Sequence, residues 1–156
     1  MRLCGQYKAW SELNEYITLI AKKRSQSKQA ITKMVQSAMT LVDETPNRET
    51  KTELINALLK VSEGKIYVEV ERARLVKILA AMKEEDGEIA EAARLLQDVQ
   101  IETVGSMEAK EKIDFILEQM RVTLDANDYV RAVIISRKIT TKSLLVPEHQ
   151  DLKIRY

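Results

Sequence analysis

Apolar side chains along this chain fall mainly at helical spacing, and the spacing recurs. Trp10, Leu13, Ile17 and Ile20 share one stripe and predict a helix over about 7–23. Ile31, Met34, Val35, Ala38 and Val42 predict a second, over about 28–43, with Ser25 or Ser27 as its cap. Thr45-Pro46-Asn47 is a break, and Asn47 opens a third helix carrying Leu54, Ile55, Leu58 and Leu59. Gly64 reads as the residue closing it.

The next stretch is ambiguous. Ile66, Val68 and Val70 alternate with Tyr67, Glu69 and Glu71, which is a strand-like period. No breaker separates them from Leu75, Ile78, Leu79 and Met82, which are helically spaced, and no partner strand is evident. One helix over about 66–84 is therefore predicted. Asp86-Gly87 turns into a short Ala-rich helix with Ile89, Ala92, Ala93 and Leu96 inward. Gly105-Ser106 supplies a loop and cap for a helix with Ile113, Ile116, Leu117, Met120 and Leu124 on one face. Asn127-Asp128 turns into a last full helix with Val130, Val133 and Ile134. Pro147 breaks again, and Leu152, Ile154 and Tyr156 begin a further element.

Helix starts thus recur about every twenty residues, one rod plus one tight turn. Segments beginning at Gly5, Gly87 and Asn127 also share a loose pattern of an aromatic or Ile, then Trp or Ala, then an aliphatic residue. The last two are 40 residues apart and the first two 82, so one beat near Pro46-Asn47 is missed. That period marks stacked helix hairpins. The expected fold is all-α, about seven full helices in a right-handed alpha-alpha superhelix of antiparallel hairpins, TPR-like. Such stacks expose extended surfaces that hold other proteins. Neither end carries a polar capping repeat, so residues 1–156 are expected to be one solenoid segment of a longer protein.

Composition narrows the chemistry. Four Gly and two Pro disfavour an all-β fold. The formal net charge of +1 lacks the basic footprint of a nucleic-acid binder. The lone Cys4 allows no intrachain disulfide and fits a reducing compartment. No apolar run reaches the roughly twenty residues needed to cross a bilayer, and no signal-peptide layout is present. Cys4 and His149, the only residues of their kinds, lie at opposite ends of the predicted stack and make no catalytic pair. They read instead as a small packed residue and a polar linker residue. No zinc or calcium spacing and no Gly-rich phosphate cradle occurs, so no metal, cofactor or small-molecule substrate is expected. Glu84-Glu85-Asp86 reads as a solvated turn, and Met34, Met82 and Met120 as core. Trp10 reads as packed between helices. Lys22, Lys23 and Arg24 read as compensation of a helix C-terminus. The alternative is that, with Arg48, they form a charged partner contact at helix ends.

Two runs resemble a narrower group. Gly64-Lys65-Ile66-Tyr67-Val68-Glu69-Val70-Glu71-Arg72-Ala73-Arg74-Leu75 is one. Gly105 through Ile113, continuing from Phe115 to Arg121, is the other. Both are similar to the proteasome non-ATPase regulatory subunit 12 family, PCI-domain proteins of the 26S regulatory-particle lid. Ser25-Gln26, Lys28-Gln29-Ala30, Asp128-Tyr129-Val130-Arg131 and Ile134-Ile135-Ser136 extend the likeness over nearly the whole chain. The resemblance implies that this segment is the N-terminal part, a PCI-type helical solenoid, with the PCI and winged-helix module itself absent here. It implies a non-enzymatic scaffold in ubiquitin-dependent degradation, located in cytoplasm and nucleus. Its implied partners are other lid subunits, the ATPase base and the core-particle ring. The alternatives are the PCI subunit of the COP9 signalosome and a free-standing TPR-like peptide-binding adaptor.

Overall fold

The computed structural model describes residues 7–23, 26–140, 144 and 149–155. Cys4, Arg24, Pro147 and Tyr156, all weighed above, lie outside the described residues. Among those described there are eight α-helices and no strand, so the all-α expectation holds. The chain divides into two compact units, Met1–Leu75 and Val76–Tyr156.

The first unit holds α1 (Trp10–Lys22), α2 (Lys28–Val42), α3 (Arg48–Ser62) and a 3-10 turn, Ile66–Val68. Its starts are chemically set. Ser27 caps α2 by accepting the Ala30 N–H at 3.1 Å, and Asn47 caps α3 through the Thr50 N–H at 2.8 Å. Leu13 and Ile17 of α1 meet the buried Leu54, Ile55 and Leu58 of α3, while Ile31, Val35 and Ala38 of α2 close the other side. Each fully buried Leu or Ile contributes about 1.5–3 kcal/mol relative to exposure. At the far end of α3, the Arg72 guanidinium donates to the Leu59 carbonyl at 2.7 Å and Lys65 Nζ donates to the Val61 carbonyl. Two cations thus satisfy carbonyls that the helix leaves orphaned.

The alternating stretch becomes that 3-10 turn followed directly by α4 (Glu69–Glu85). Val68 is fully buried but Ile66 is 77% exposed, so the alternation never had two consistent faces. The division between the units falls inside α4.

The second unit is built around α6 (Ala109–Asp125), which packs on α5 (Ile89–Gln97), α7 (Tyr129–Ser136), α8 (Gln150–Arg155) and a 3-10 turn, Ile101–Thr103. The 40-residue beat is literal here. α4 and α6 are both 17 residues long, and α5 and α7 begin 40 apart. Ala73, Leu75, Val76, Leu79 and Met82 are buried, and so are their counterparts Ile113, Phe115, Ile116, Gln119 and Val122. Both rods end alike. Gly87 and Asn127 sit in the left-handed region at φ 80° and 60°. Gly87 N–H donates to the Glu84 carbonyl and Glu88 N–H to that of Lys83, both at 2.9 Å. Asn127 and Asp128 repeat the pattern onto Leu124 and Thr123 at 2.8 and 3.1 Å. These are two Schellman closures one beat apart.

Gln119 replaces the aliphatic residue that the beat calls for. Its amide donates to the carbonyls of Leu96 and Val99 at 2.6 and 3.0 Å, capping the end of α5. Thr123 joins it, donating to the Gln119 carbonyl at 2.6 Å and accepting from Gln97 at 3.2 Å.

Several expectations need correction. α1 begins at Trp10 rather than Tyr7, and Trp10 is half-buried rather than enclosed. Ser106 does not cap α6; Glu108 holds that position with no side-chain bond. Met120 is only half-buried and Leu124 is exposed, because the inward face turns toward Phe115, Gln119, Val122 and Thr123. His149 is buried at 8% exposure, not a solvated linker residue. Glu84 is no free turn residue either. It accepts from both ends of the Arg121 guanidinium at 2.6 and 2.7 Å, and Arg121 also bonds Glu118 and Asp125. The hydrogen bonds from Arg121 hold the Glu84 carboxyl below its ordinary pKa.

Gly87→Ala is expected to destabilise by about 1–2 kcal/mol in urea titration, since the left-handed backbone penalises a Cβ although nothing lies within 4 Å of it. Gly105→Ala, equally uncrowded and without a positive φ, is expected to gain about 0.4–1 kcal/mol. The lowered Glu84 pKa contributes stability that is present above the unfolded-state value and lost as the pH falls through the folded one. Arg121→Met is therefore expected to cost about 0.5–1 kcal/mol at neutral pH for so exposed a pair, with the difference shrinking as the pH falls through the carboxylate range. Thermal melts of the two proteins across that range check it.

Candidate protein-interaction surface

Of the cations singled out from sequence, Lys22, Lys23 and Arg48 do not form one cluster. Lys22 ends α1 and Lys23 follows it as its cap; both are exposed. Arg24 lies outside the described residues. Arg48 is exposed at the start of α3, across the length of α2 from the end of α1. The 15 residues of α2 span roughly 22 Å. No single partner residue bridges Arg48 and the Lys22–Lys23 pair.

The surface that sequence reasoning did not orient is on α7. Val130, Val133 and Ile134 point outward, with Val130 at 75% exposure, and Tyr129 stands exposed beside them. The buried residues of α7 are Ala132 and Ile135. The physical reason is that α7 is apolar nearly all round, so helical spacing alone does not say which side turns inward. The repeat aligns Ala132 with the buried Ala92 one beat earlier, but it also aligns the exposed Val133 with the buried Ala93, so α7 departs from the equivalence there.

The same register explains what the outward face resembles. Val130, Val133 and Ile134 stand where α5 carries Ala90, Ala93 and Arg94. On α5 those residues line a groove of about 470 Å³ shared with Asp128 and Arg131 of α7. Asp128 caps α7 through the Arg131 N–H at 3.1 Å, and its carboxylate pairs with the Arg131 side chain at 3.3 Å. Arg131 also donates to Gln97. The groove on α5 is thus small-sided and polar, whereas the matching face of α7 is large-sided and apolar. Exposed apolar side chains gathered on one face mark a place where another protein surface sits.

Among the described residues no group of three or more His, Cys, Asp or Glu is placed to hold a metal ion, and no helix is long and apolar enough to cross a membrane. The carboxylates of Glu84, Glu118 and Asp125 are spent on one guanidinium. Lys77 is paired with Asp114 and Lys138 with Glu102 at 2.9 Å.

Comparison with known proteins matches residues 1–156 to the family described as PSMD12/CSN4, N-terminal. Among curated proteins, the 26S proteasome non-ATPase regulatory subunit 12 homolog A of Arabidopsis thaliana is 54% identical over 153 residues, 98% of this chain and 35% of that protein. The 26S proteasome non-ATPase regulatory subunit 12 of Dictyostelium discoideum is 45% identical over the whole chain and 35% of its own length. The 26S proteasome regulatory subunit RPN5 of Saccharomyces cerevisiae is 44% identical over 94% of the chain and 34% of its own. The chain spans about a third of the length of these relatives. A match over every residue, on helices whose register the structure repeats, leaves one conclusion: this chain belongs to the PSMD12/CSN4 N-terminal family.

Proposed function

We propose that the chain is a non-catalytic scaffold element of the 26S proteasome regulatory-particle lid. It serves ubiquitin-dependent protein degradation by holding neighbouring subunits, in cytoplasm and nucleus. The partners proposed are other lid subunits, the ATPase base and the core-particle ring. The observation that carries the reading is the outward apolar face of α7, with Val130 and Val133 left uncovered. Three relatives named as proteasome regulatory subunits support the assignment to that assembly. They favour it over the signalosome and over a free-standing peptide-binding adaptor.

Affinity capture of the tagged chain from cells, with partners identified by mass spectrometry, tests this. Proteasome regulatory-particle subunits are expected. The Val130→Glu, Val133→Glu double variant is expected to recover at least about tenfold less, as for charges placed in an apolar interface core. Recovery of signalosome subunits or chaperones without proteasome subunits overturns the proposal.

A further inference from the structure

A second surface lies on α2, in the first unit, and its chemistry is different. α2 contains no Asp or Glu. Its inward positions are aliphatic, while Lys28, Gln29, Thr32, Lys33 and Gln36 line a groove of about 290 Å³ whose opposite wall is Tyr67. Gln36 also borders a second hollow of about 300 Å³ with Ser37, Thr40 and Leu41, so the depression continues along the helix.

The charge presented there is positive. Neither the Lys28 nor the Lys33 ammonium takes part in an ion pair among the described residues. No carboxylate lines the groove, and Glu71 is buried at 8% exposure and accepts from Nε2 of the lining residue Gln36 at 2.7 Å. Glu69 is not among the lining residues. The hydroxyl proton of Thr32 is committed to the Lys28 carbonyl at 3.0 Å. What remains is an apolar floor, made by the lysine stems and the Tyr67 ring, with two ammoniums at its edge. Ile66, 77% exposed, extends the apolar rim beside Tyr67.

We infer that this groove receives an acidic segment of a partner protein, a surface that presupposes the protein-holding role proposed above. Carboxylates of the segment meet Lys28 and Lys33, and an apolar side chain lies against Tyr67. Lys28 and Lys33 are five residues apart, about 7.5 Å along the helix axis and about 140° around it, so they flank the groove from two sides and each meets its own carboxylate. A phosphate backbone is the poorer fit. Nucleic-acid binding draws on many cations acting together, and here there are two in a chain of formal charge +1. Charge complementarity at such a rim acts chiefly on encounter rate and salt dependence.

The test compares wild type with Lys28→Glu/Lys33→Glu and with the milder Lys28→Gln/Lys33→Gln, each confirmed helical by circular dichroism. In one arm, a fluorescent peptide of alternating Glu and Leu is titrated by anisotropy at low and at physiological salt. Salt-sensitive binding, weakened at least about tenfold by the glutamate pair and less by the glutamine pair, is expected. Equal binding by all three proteins, or tighter binding of wild type to polyuridylate than to the peptide, overturns the inference. In the second arm, the same variants enter the cellular capture. Wild type that recovers proteasome subunits no better than the glutamate pair overturns the inference while leaving the scaffold role standing. Wild type that recovers none overturns the scaffold role, and the peptide arm then decides the groove by itself.

Discussion

Reversal of the chain by a left-handed residue is the constraint on which the second unit depends. Gly87 and Asn127 close rods of equal length with the same pair of backbone hydrogen bonds. That geometry fixes how far each rod runs before it turns, and hence which residues become equivalent. Ala73 and Ile113, Leu75 and Phe115, Val76 and Ile116 are buried in pairs because the turns come at matching places. Glycine enters this backbone region freely, and Asn is among the few other residues that do so at modest cost.

Once the register is set, polar residues inside it must answer to it. Gln119 occupies a position where the earlier rod carries Leu79, and it is buried as completely as a leucine. A buried amide is tolerable only when it is hydrogen-bonded. Its two donors go to the carbonyl of Leu96 in the last turn of α5 and to that of Val99 just beyond it. The departure from the apolar pattern therefore ties α5 to α6. On the surface, Arg121 gathers three carboxylates and leaves little free charge around it. Among the described residues, two faces that stay uncommitted are the apolar one on α7 and the basic one on α2. A helical-repeat protein binds through such side-chain faces, because its backbone groups are consumed within its own rods.

Much of this was legible in the sequence. The helices carrying Ile31 to Val42 and Leu54 to Leu58 were readable from spacing, and the cap Asn47 from residue type, while residue type left Ser25 and Ser27 both open for α2. Gly64 and Gly87 announced turns because a positive φ favours glycine. The outward face of α7 was not legible from spacing. A helix with Val130, Ala132, Val133, Ile134 and Ile135 is apolar nearly all round, and comparison one beat earlier gives a mixed answer, since Ala92 and Ala93 are both buried while Val133 is exposed. The α2 groove was missed for another reason. Lys28 and Lys33 looked like ordinary solvated residues, and the signal was an absence: fifteen residues of helix without one acid. Lys22, Lys23 and Arg48 drew attention as exposed cations at helix ends, but an antiparallel hairpin holds the two ends apart.

The register itself is tested most directly by hydroxyl-radical footprinting of the free chain, read residue by residue by mass spectrometry. Tyr129, Val130 and Ile134 are expected to be oxidised readily, while Ile135, Phe115 and Leu75 stay protected. Protection of Ile134 together with ready oxidation of Ile135 would place the opposite side of α7 inward and contradict the forty-residue equivalence on which the account is built.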